Sequence, residues 1–226
     1  GVYALTSPPV AADALRQQSA AVPELRRPVI LTGRVADVPD LVRQAGEADV
    51  RFEVIVGRNA LTRDPDRPAT LARLAALLAP GGCLVLAESI PRQAQRVHRL
   101  VESAHFAPEI AARLAAAEER IYANPNDHWV NWDAADLRRW CLAAGLHVAV
   151  LDERSHTTQL MMTEAVLSRW FTPADAGSRP AFVDHLRASF DAAELAGIEA
   201  AMRRELIGRT VSWQAHGVLL KAVAPP

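Results

Sequence analysis

Two stretches of the sequence decide the fold: FEVIVGRNAL at residues 52–61 and LAPGGCLVLAE at residues 78–88. Each contains a short apolar run that lacks the alternating polar residues of a strand facing water on one side. Between them, Pro68 opens a helical pattern in which Leu71, Leu74 and Leu77 share one face. Strand, helix and strand in this order predict two parallel strands joined by a crossover helix and buried on both faces.

The same alternation extends in both directions along the chain. We predict further strands at residues 2–6, 28–32, 147–151, 157–162 and 210–223. We also predict helices at 11–20, 41–45, 133–142 and 164–170, two helices within 92–122, and a long helix from the capping-box pattern at Asp191 to Gly208. Together these elements predict an α/β, Rossmann-like fold with a mostly parallel sheet.

The composition restricts the class of protein. The 226 residues are 50% hydrophobic and 23% charged, with a formal net charge of −1. This balance excludes a disordered or coiled-coil chain, and the small net charge argues against a broad nucleic-acid surface. No apolar run approaches the roughly 18–20 residues of a membrane helix, and the first residues do not resemble a signal peptide.

The cysteines and histidines restrict the class of protein further. Cys83 and Cys141 lie far apart in apolar surroundings, which predicts a reduced, cytoplasmic protein without a disulfide framework. The seven histidines never fall at a metal-ligand spacing with a second His or Cys, so we expect no metal.

The paired motifs at 52–61 and 78–88, with their spacing, resemble the fourth and fifth strands of class I S-adenosylmethionine (SAM)-dependent methyltransferases. Only one predicted strand lies between residues 2–6 and the first motif, so residues 2–6 match the family's second strand. Its first strand is therefore missing, replaced or upstream of Gly1, and we expect the chain to be a piece of a longer protein. The resemblance implies one methyltransferase-like domain over 1–226, with a Rossmann half at 1–91, a helical insertion at 92–132 and C-terminal strands and helices at 133–226.

The resemblance also implies a SAM site at the carboxyl ends of the strands, where open parallel sheets bind ligands. The residues that match cofactor-binding positions are Thr6, Gly33, Arg34, Asp37, Gly57, Arg58 and Asn59. Three departures from the family pattern stand out. No G-x-G turn occurs in the sequence, Thr6 replaces the usual acidic acceptor for the ribose, and Arg34 replaces a frequent acidic residue near the adenine, where Asp37 is a substitute.

A second resemblance concerns residues 121–125, 130–133 and 210–213. They are similar to a C-terminal extension of bacterial replication-associated recombination AAA+ ATPases, which implies an upstream ATPase domain as partner and a role in DNA repair. We therefore expect a non-catalytic interaction or assembly module, with a homo-oligomer as an alternative and nucleic acid contacted only indirectly. The alternatives are an active SAM-dependent methyltransferase in truncated form, with Arg58 and Asn59 nearest the methyl group, and a binder of another nucleotide.

The missing first strand allows a prediction about which strands pair. In the family that strand lies between the second and fourth strands, so here these two must pair directly, or another segment or chain must fill the gap. A long exposed edge would instead favour dimerisation.

Other side chains allow two interpretations each. Arg92, Arg96 and Arg99, placed on one predicted helix face, bind phosphate or pair with nearby acids. The tryptophans 129, 132 and 140 form a base-stacking platform or belong to the core, and Trp213 is expected in the core. His128 and His156 are predicted in loops as lone candidate bases.

Overall fold

A computed structural model describes residues 1–46 and 49–226 and divides the chain into two compact units. Unit 1 comprises Gly1–Ser89, Ala134–Glu153 and Val218–Pro226, and unit 2 comprises Ile90–Asp133 and Arg154–Gly217. The predicted boundaries after residues 91 and 132 lie close to two of these breaks. The interpretation of 1–226 as a single domain stays a prediction.

Unit 1 has the predicted alternation of strands and helices. Its elements are β1 (Tyr3–Thr6), α1 (Pro9–Ser19), β2 (Val29–Thr32), α2 (Val38–Gln44), β3 (Phe52–Arg58), α3 (Arg67–Ala76), β4 (Leu78–Ser89) and α5 (Ala134–Ala143). Proline at the first turn of α1, α2 and α3 fits their starts, because the missing N–H has no helical partner there. Asp66 caps α3 by accepting a hydrogen bond from the backbone N of Ala69 (3.1 Å).

The strands form two separate sheets. β1 pairs in parallel with β2, from Tyr3 opposite Val29 to Thr6 opposite Thr32. The second sheet has the order β3-β4-β6-β5, in which β3 and β4 are parallel; β5 is His147–Met161 and β6 is Thr210–Val223. We predicted that residues 3–6 are not the central strand of the main sheet, and β1 indeed lies outside the four-stranded sheet. Direct pairing of β1 with β3 is not formed among the described residues, so that alternative is wrong.

The Pro-Gly-Gly stretch at residues 80–82 is part of β4. The register with β3 jumps from Phe52 opposite Leu78 to Val54 opposite Cys83, so the intervening residues of β4 bulge out. Gly81 has a φ of 71°, and a Cβ on Gly82 would lie 2.8 Å from the carbonyl oxygens of both Ala79 and Phe52. The two glycines therefore allow the bulge, because a side chain at Gly82 would collide with backbone.

Unit 2 contains four helices between its irregular segments: α4 (Pro108–Ala123), α6 (Glu164–Phe171), α7 (Phe182–Leu186) and α8 (Ala192–Leu206). Its core gathers apolar side chains of all four, among them Leu114, Leu167, Leu186 and Met202. The capping box predicted at the start of α8 is confirmed: Glu194 N donates to Asp191 Oδ1 (2.8 Å) and Asp191 N to Glu194 Oε2 (3.1 Å).

Two predicted elements differ from the structure. The helix expected from Arg92 is replaced by three short 3-10 turns, Pro91–Gln93, Val97–Leu100 and Ser103–His105. The buried Glu118 accepts hydrogen bonds from the backbone N atoms of Val97 (2.6 Å) and His98 (2.9 Å), and so takes the place of helical acceptors.

The strands predicted at 147–151 and 157–162 are one continuous strand, β5. The polar residues Asp152, Glu153 and Arg154 do not interrupt it, because they lie on a strand at the edge of the sheet. In the part of the chain that the structure describes, every helix is too short or too polar to cross a membrane.

Candidate functional site

A cavity of about 940 Å³ lies in unit 1 between β1 and β3. It extends to the carboxyl ends of β1, β2 and β3, the position at which open parallel sheets bind ligands. Five of the seven predicted cofactor residues line it: Thr6, Arg34, Gly57, Arg58 and Asn59. The strand topology therefore brings most of the predicted site to one place.

Gly33 and Asp37 are not among the described residues that line this cavity. Gly33 N donates to Thr6 O (3.1 Å), and Ser7 Oγ donates to Gly33 O (3.2 Å), so Gly33 joins the ends of β1 and β2. A Cβ at Gly33 would lie 2.7 Å from Leu41 Cδ1, which explains the absence of a side chain there. Asp37 N donates to Arg34 O in the turn that leads into α2.

Asn59 has a left-handed backbone, with a φ of 49°, directly after β3. Its N donates to Ala87 O (2.9 Å), and its Oδ1 accepts hydrogen bonds from Ser89 N and Ser89 Oγ (both 3.0 Å). A Cβ on Gly57 would lie 2.8 Å from Leu86 Cδ2, so glycine allows close packing at this turn. Sparsely populated backbone conformations of this kind occur often at functional turns.

The carboxylate of Glu88 accepts hydrogen bonds from the residues of the same turn, a role that the sequence analysis did not predict. The side chain is 2% exposed and accepts hydrogen bonds from the backbone N of Ala60 (2.7 Å), the backbone N of Leu61 (3.2 Å) and Thr62 Oγ1 (3.1 Å). Burial raises the pKa of Glu88, and the three hydrogen bonds and the nearby Arg67 guanidinium oppose that rise. The available signal was an acidic residue at the end of an apolar strand, which needs a buried partner.

A family model described as "Methyltransferase domain" matches residues 7–150, more than half of the chain. This chain belongs to the methyltransferase domain family. A protein from Bacillus halodurans that is assigned as a methyltransferase has a similar structure, with a TM-score of 0.52, 14% identity and coverage of 100% of this chain and 83% of that chain. The YcgJ protein of Bacillus subtilis has a TM-score of 0.51 and 13% identity, with coverage of 98% and 81%. At this identity the two structures support the Rossmann-like fold alone, and the comparison with curated proteins found no significant match.

The cofactor of SAM-dependent methyltransferases fits this methyltransferase domain only in part. The position and size of the cavity suit a nucleotide, since small-molecule pockets measure about 300–1,000 Å³. Thr6 offers a neutral hydroxyl where a carboxylate would bind the ribose more strongly. Arg34 and Arg58 are exposed cations in the lining, whereas the sulfonium of SAM is itself positive. The residues present therefore do not by themselves form a complete SAM site.

The charged side chains in the lining of the methyltransferase cavity are Arg34, Arg58, Arg63 and Asp64. Across residues 1–46 and 49–226, no group of three or more His, Cys, Asp or Glu side chains is arranged to hold a metal ion.

The three arginines singled out in the sequence, Arg92, Arg96 and Arg99, each pair with an acidic side chain. Arg92 contacts Asp133 and Asn131 (both 2.6 Å), and Arg96 forms a bidentate pair with Glu119 (both 2.9 Å). The Arg96 guanidinium also lies 3.6 Å above the Tyr122 ring, and its hydrogen bond lowers the pKa of Glu119. These contacts favour the structural interpretation over phosphate binding.

The tryptophans and histidines of unit 2 differ in burial. Trp132 is fully buried and belongs to the core. Trp213 was expected in the core, but it is half-buried and lies 6.3 Å from Trp170, between ring centroids, in a shallow groove of about 390 Å³. His128 and His156 are exposed, and His156 lies within β5 rather than in a loop.

Proposed function

We propose that this chain is a methyltransferase-like domain that is not catalytic by itself. The family match and the cavity at the carboxyl ends of β1–β3 support the first part of this proposal. The second part is supported by Thr6 and Arg34 at positions that are usually acidic and by the absence of a G-x-G turn from the sequence.

The strongest support for the proposal is the position of the cavity between two sheets. The cavity separates β1 from β3, so the walls that hold a cofactor are two sheets rather than one continuous sheet. A glycine turn at the end of a strand between them would present backbone N–H groups to the cofactor. The 226 residues place Thr6, Arg58 and Asn59 around this position without supplying the turn.

Calorimetry of the 226-residue chain with SAM and with S-adenosylhomocysteine tests the proposal. We expect no heat of binding at micromolar ligand for either compound. Micromolar binding that is lost in Asn59→Ala and retained in the control Arg51→Ala, an exposed residue outside the cavity lining, would contradict it. That result would favour an active methyltransferase with the cofactor next to Asn59.

The resemblance of residues 121–125, 130–133 and 210–213 supports a more specific proposal, an assembly role beside an AAA+ ATPase domain in DNA repair. It rests on the sequence alone. Co-purification of this chain with such an ATPase is expected, and failure of the two to associate when mixed would contradict it. The expectations of a homo-oligomer, of indirect contact with nucleic acid and of a cytoplasmic location stay predictions.

A further inference from the structure

The charges that line the cavity of unit 1 are mostly positive. Within the described part of the chain, its charged lining residues are three arginines and one aspartate: Arg34, Arg58, Arg63 and Asp64. Asp64 is 8% exposed, its Oδ1 accepts a hydrogen bond from Asp66 N (2.8 Å), and its carboxylate interacts with the buried Arg67 guanidinium. The acidic charge is therefore engaged within the protein, and a ligand in the cavity meets mainly cations.

Arg34 and Arg58 lie at the carboxyl ends of their strands. Arg34 lies just beyond β2, Arg58 is the last residue of β3, and both side chains are exposed. Within residues 1–46 and 49–226 neither guanidinium forms an ion pair, although Asp37 lies only three residues after Arg34. By contrast, Arg16 and Arg43 on α1 and α2 each pair with an aspartate three residues earlier (2.7 and 2.8 Å). Two cations without a protein counterion at one cavity attract an anion.

Neutral side chains at the same strand ends also offer hydrogen-bond donors. Asn59 Oδ1 accepts from Ser89 N (3.0 Å), and because a backbone N–H can only donate, this contact fixes the oxygen on the Ser89 side. The NH2 group of Asn59 therefore lies on the other side of the amide and remains a donor. Thr6 adds a hydroxyl to the lining. Guanidinium, amide and hydroxyl donors together favour a ligand that is rich in acceptor oxygens and negatively charged.

The cavity also has room and an apolar wall for a base. Its volume of about 940 Å³ lies within the range of small-molecule pockets, which combine apolar walls with a few placed polar groups. Leu31 of β2 and Val38 and Val42 of α2 supply apolar lining. We propose that this cavity binds an anionic nucleotide of the nucleoside diphosphate class, with Arg34 and Arg58 on its phosphates. A guanidinium suits this role because its planar donors match two phosphate oxygens at once.

This inference rests on the proposed function, since it names the ligand class of the same methyltransferase-like cavity. SAM carries a sulfonium and an ammonium group against one carboxylate, so its net charge is positive. A nucleoside diphosphate carries several negative charges, and exposed arginines attract it while they repel SAM. Arg34, at a position that is usually acidic, therefore reverses the charge preference of the cavity instead of merely weakening the binding of SAM.

Calorimetry of the 226-residue chain with ADP, adenosine and pyrophosphate tests the inference. We expect ADP to bind at least about tenfold more tightly than adenosine or pyrophosphate, because only ADP has both a base for the apolar wall and phosphates for the arginines. Raising the salt concentration to about 1 M should weaken the binding of ADP and leave that of adenosine unchanged, because salt screens exposed charges.

Two variants locate the phosphates. Arg34→Gln and Arg58→Gln should each weaken ADP binding by about tenfold or more. The matched control is Arg51→Gln, which removes an exposed arginine just before β3 and outside the cavity lining and should leave the affinity unchanged. Equal thermal unfolding temperatures of the three variants and the parent would show that the fold is intact.

Each contrary result has its own meaning. Absence of ADP binding at millimolar concentration, or an equal loss in Arg51→Gln, would overturn the inference. Pyrophosphate that binds as tightly as ADP would show that the phosphates alone are recognised, and would overturn the assignment of a nucleotide. Micromolar SAM binding that is lost in Asn59→Ala contradicts the proposed function instead, so the two failures are distinguishable.

Discussion

The strand pairs β1–β2 and β3–β4 are both parallel pairs of unit 1, and they differ in how they are held. In β4, Leu84 and Leu86 are fully buried, whereas every residue of β1 is only half-buried. The carboxyl ends of β3 and β4 are joined by Glu88 and Asn59. Those of β1 and β2 are joined by the backbone of Gly33 and by one exposed serine hydroxyl.

The difference shows that strand pairing alone does not fix a cofactor site. Ladder hydrogen bonds contribute little net free energy, and burial of apolar surface on both faces supplies most of the rigidity. The turn after β3 is therefore held by side-chain hydrogen bonds from a buried strand end, whereas β1 is held by its pairing with β2 and by half-buried side chains. Four substitutions test this contrast.

Glu88→Ala should give the largest effect. It leaves two buried backbone N–H groups without their acceptor and removes an anion beside the buried Arg67, at a cost of about 3–5 kcal/mol in the free energy of unfolding. Urea denaturation followed by circular dichroism measures it. Glu53→Ala, at an exposed position of β3, should cost less than about 0.5 kcal/mol. Similar losses in both variants would show that Glu88 does not hold the turn.

Leu84→Ala should follow, because it opens a cavity in the buried face of β4 and costs about 2–5 kcal/mol. The matched change on the other pair is Leu5→Ala in the half-buried β1, for which we expect about 1 kcal/mol. The same urea experiment compares the two. An equal cost would mean that β1 is as firmly packed as β4, and the contrast between the pairs would disappear.

The same contrast explains how much of the molecule the sequence could predict. The order of strands and helices in unit 1 follows from apolar runs and helix starts, which are local signals, and residues 52–61 with 78–88 sufficed to predict the family. The five cavity residues were found because strand ends in a parallel sheet lie together. Gly33 and Asp37 were placed at the same ends, but packing against Leu41 and the turn into α2 directs them elsewhere.

The predictions that were wrong or missing concern features that depend on contacts between residues distant in sequence. The helical pattern at Arg92 is overridden by Glu118, which is far along the chain and captures the backbone N–H groups of Val97 and His98. Glu88 was quoted as part of a motif, yet its burial under residues 60–62 is visible only in three dimensions. Trp213 illustrates the same limit, because an aromatic residue on a long strand lies in the core only if another element covers its face of the sheet.

Gly82→Ala should have an intermediate effect. The added Cβ would meet the backbone oxygens of Ala79 and Phe52 at 2.8 Å, so the bulge that joins β3 to β4 must shift, at a cost of about 1–3 kcal/mol. Gly197→Ala in α8 is the control with the opposite sign, because nothing lies within 4 Å and alanine stabilises a helix by about 0.5–1 kcal/mol. Thermal unfolding of both variants measures the difference, and a Gly82→Ala protein as stable as the parent would show that the bulge is adaptable.

We expect the smallest effect in the pH dependence of the free energy of unfolding. The variant Glu88→Gln isolates the part of that dependence that comes from Glu88, because glutamine does not titrate. Burial raises the folded-state pKa of Glu88 above the ordinary carboxyl value of 4.5, so between these two pKa values the folded protein binds more protons than the unfolded chain. The contribution of Glu88 is then fully present below the unfolded pKa and is lost as the pH rises through the folded pKa. The free energy of unfolding of the parent relative to Glu88→Gln should therefore fall from acidic to neutral pH in urea titrations, with Glu53→Gln as the baseline for losing a charge. A difference that grows with pH would mean that the hydrogen bonds to Ala60, Leu61 and Thr62 outweigh burial, and that the turn is held by a stabilised carboxylate.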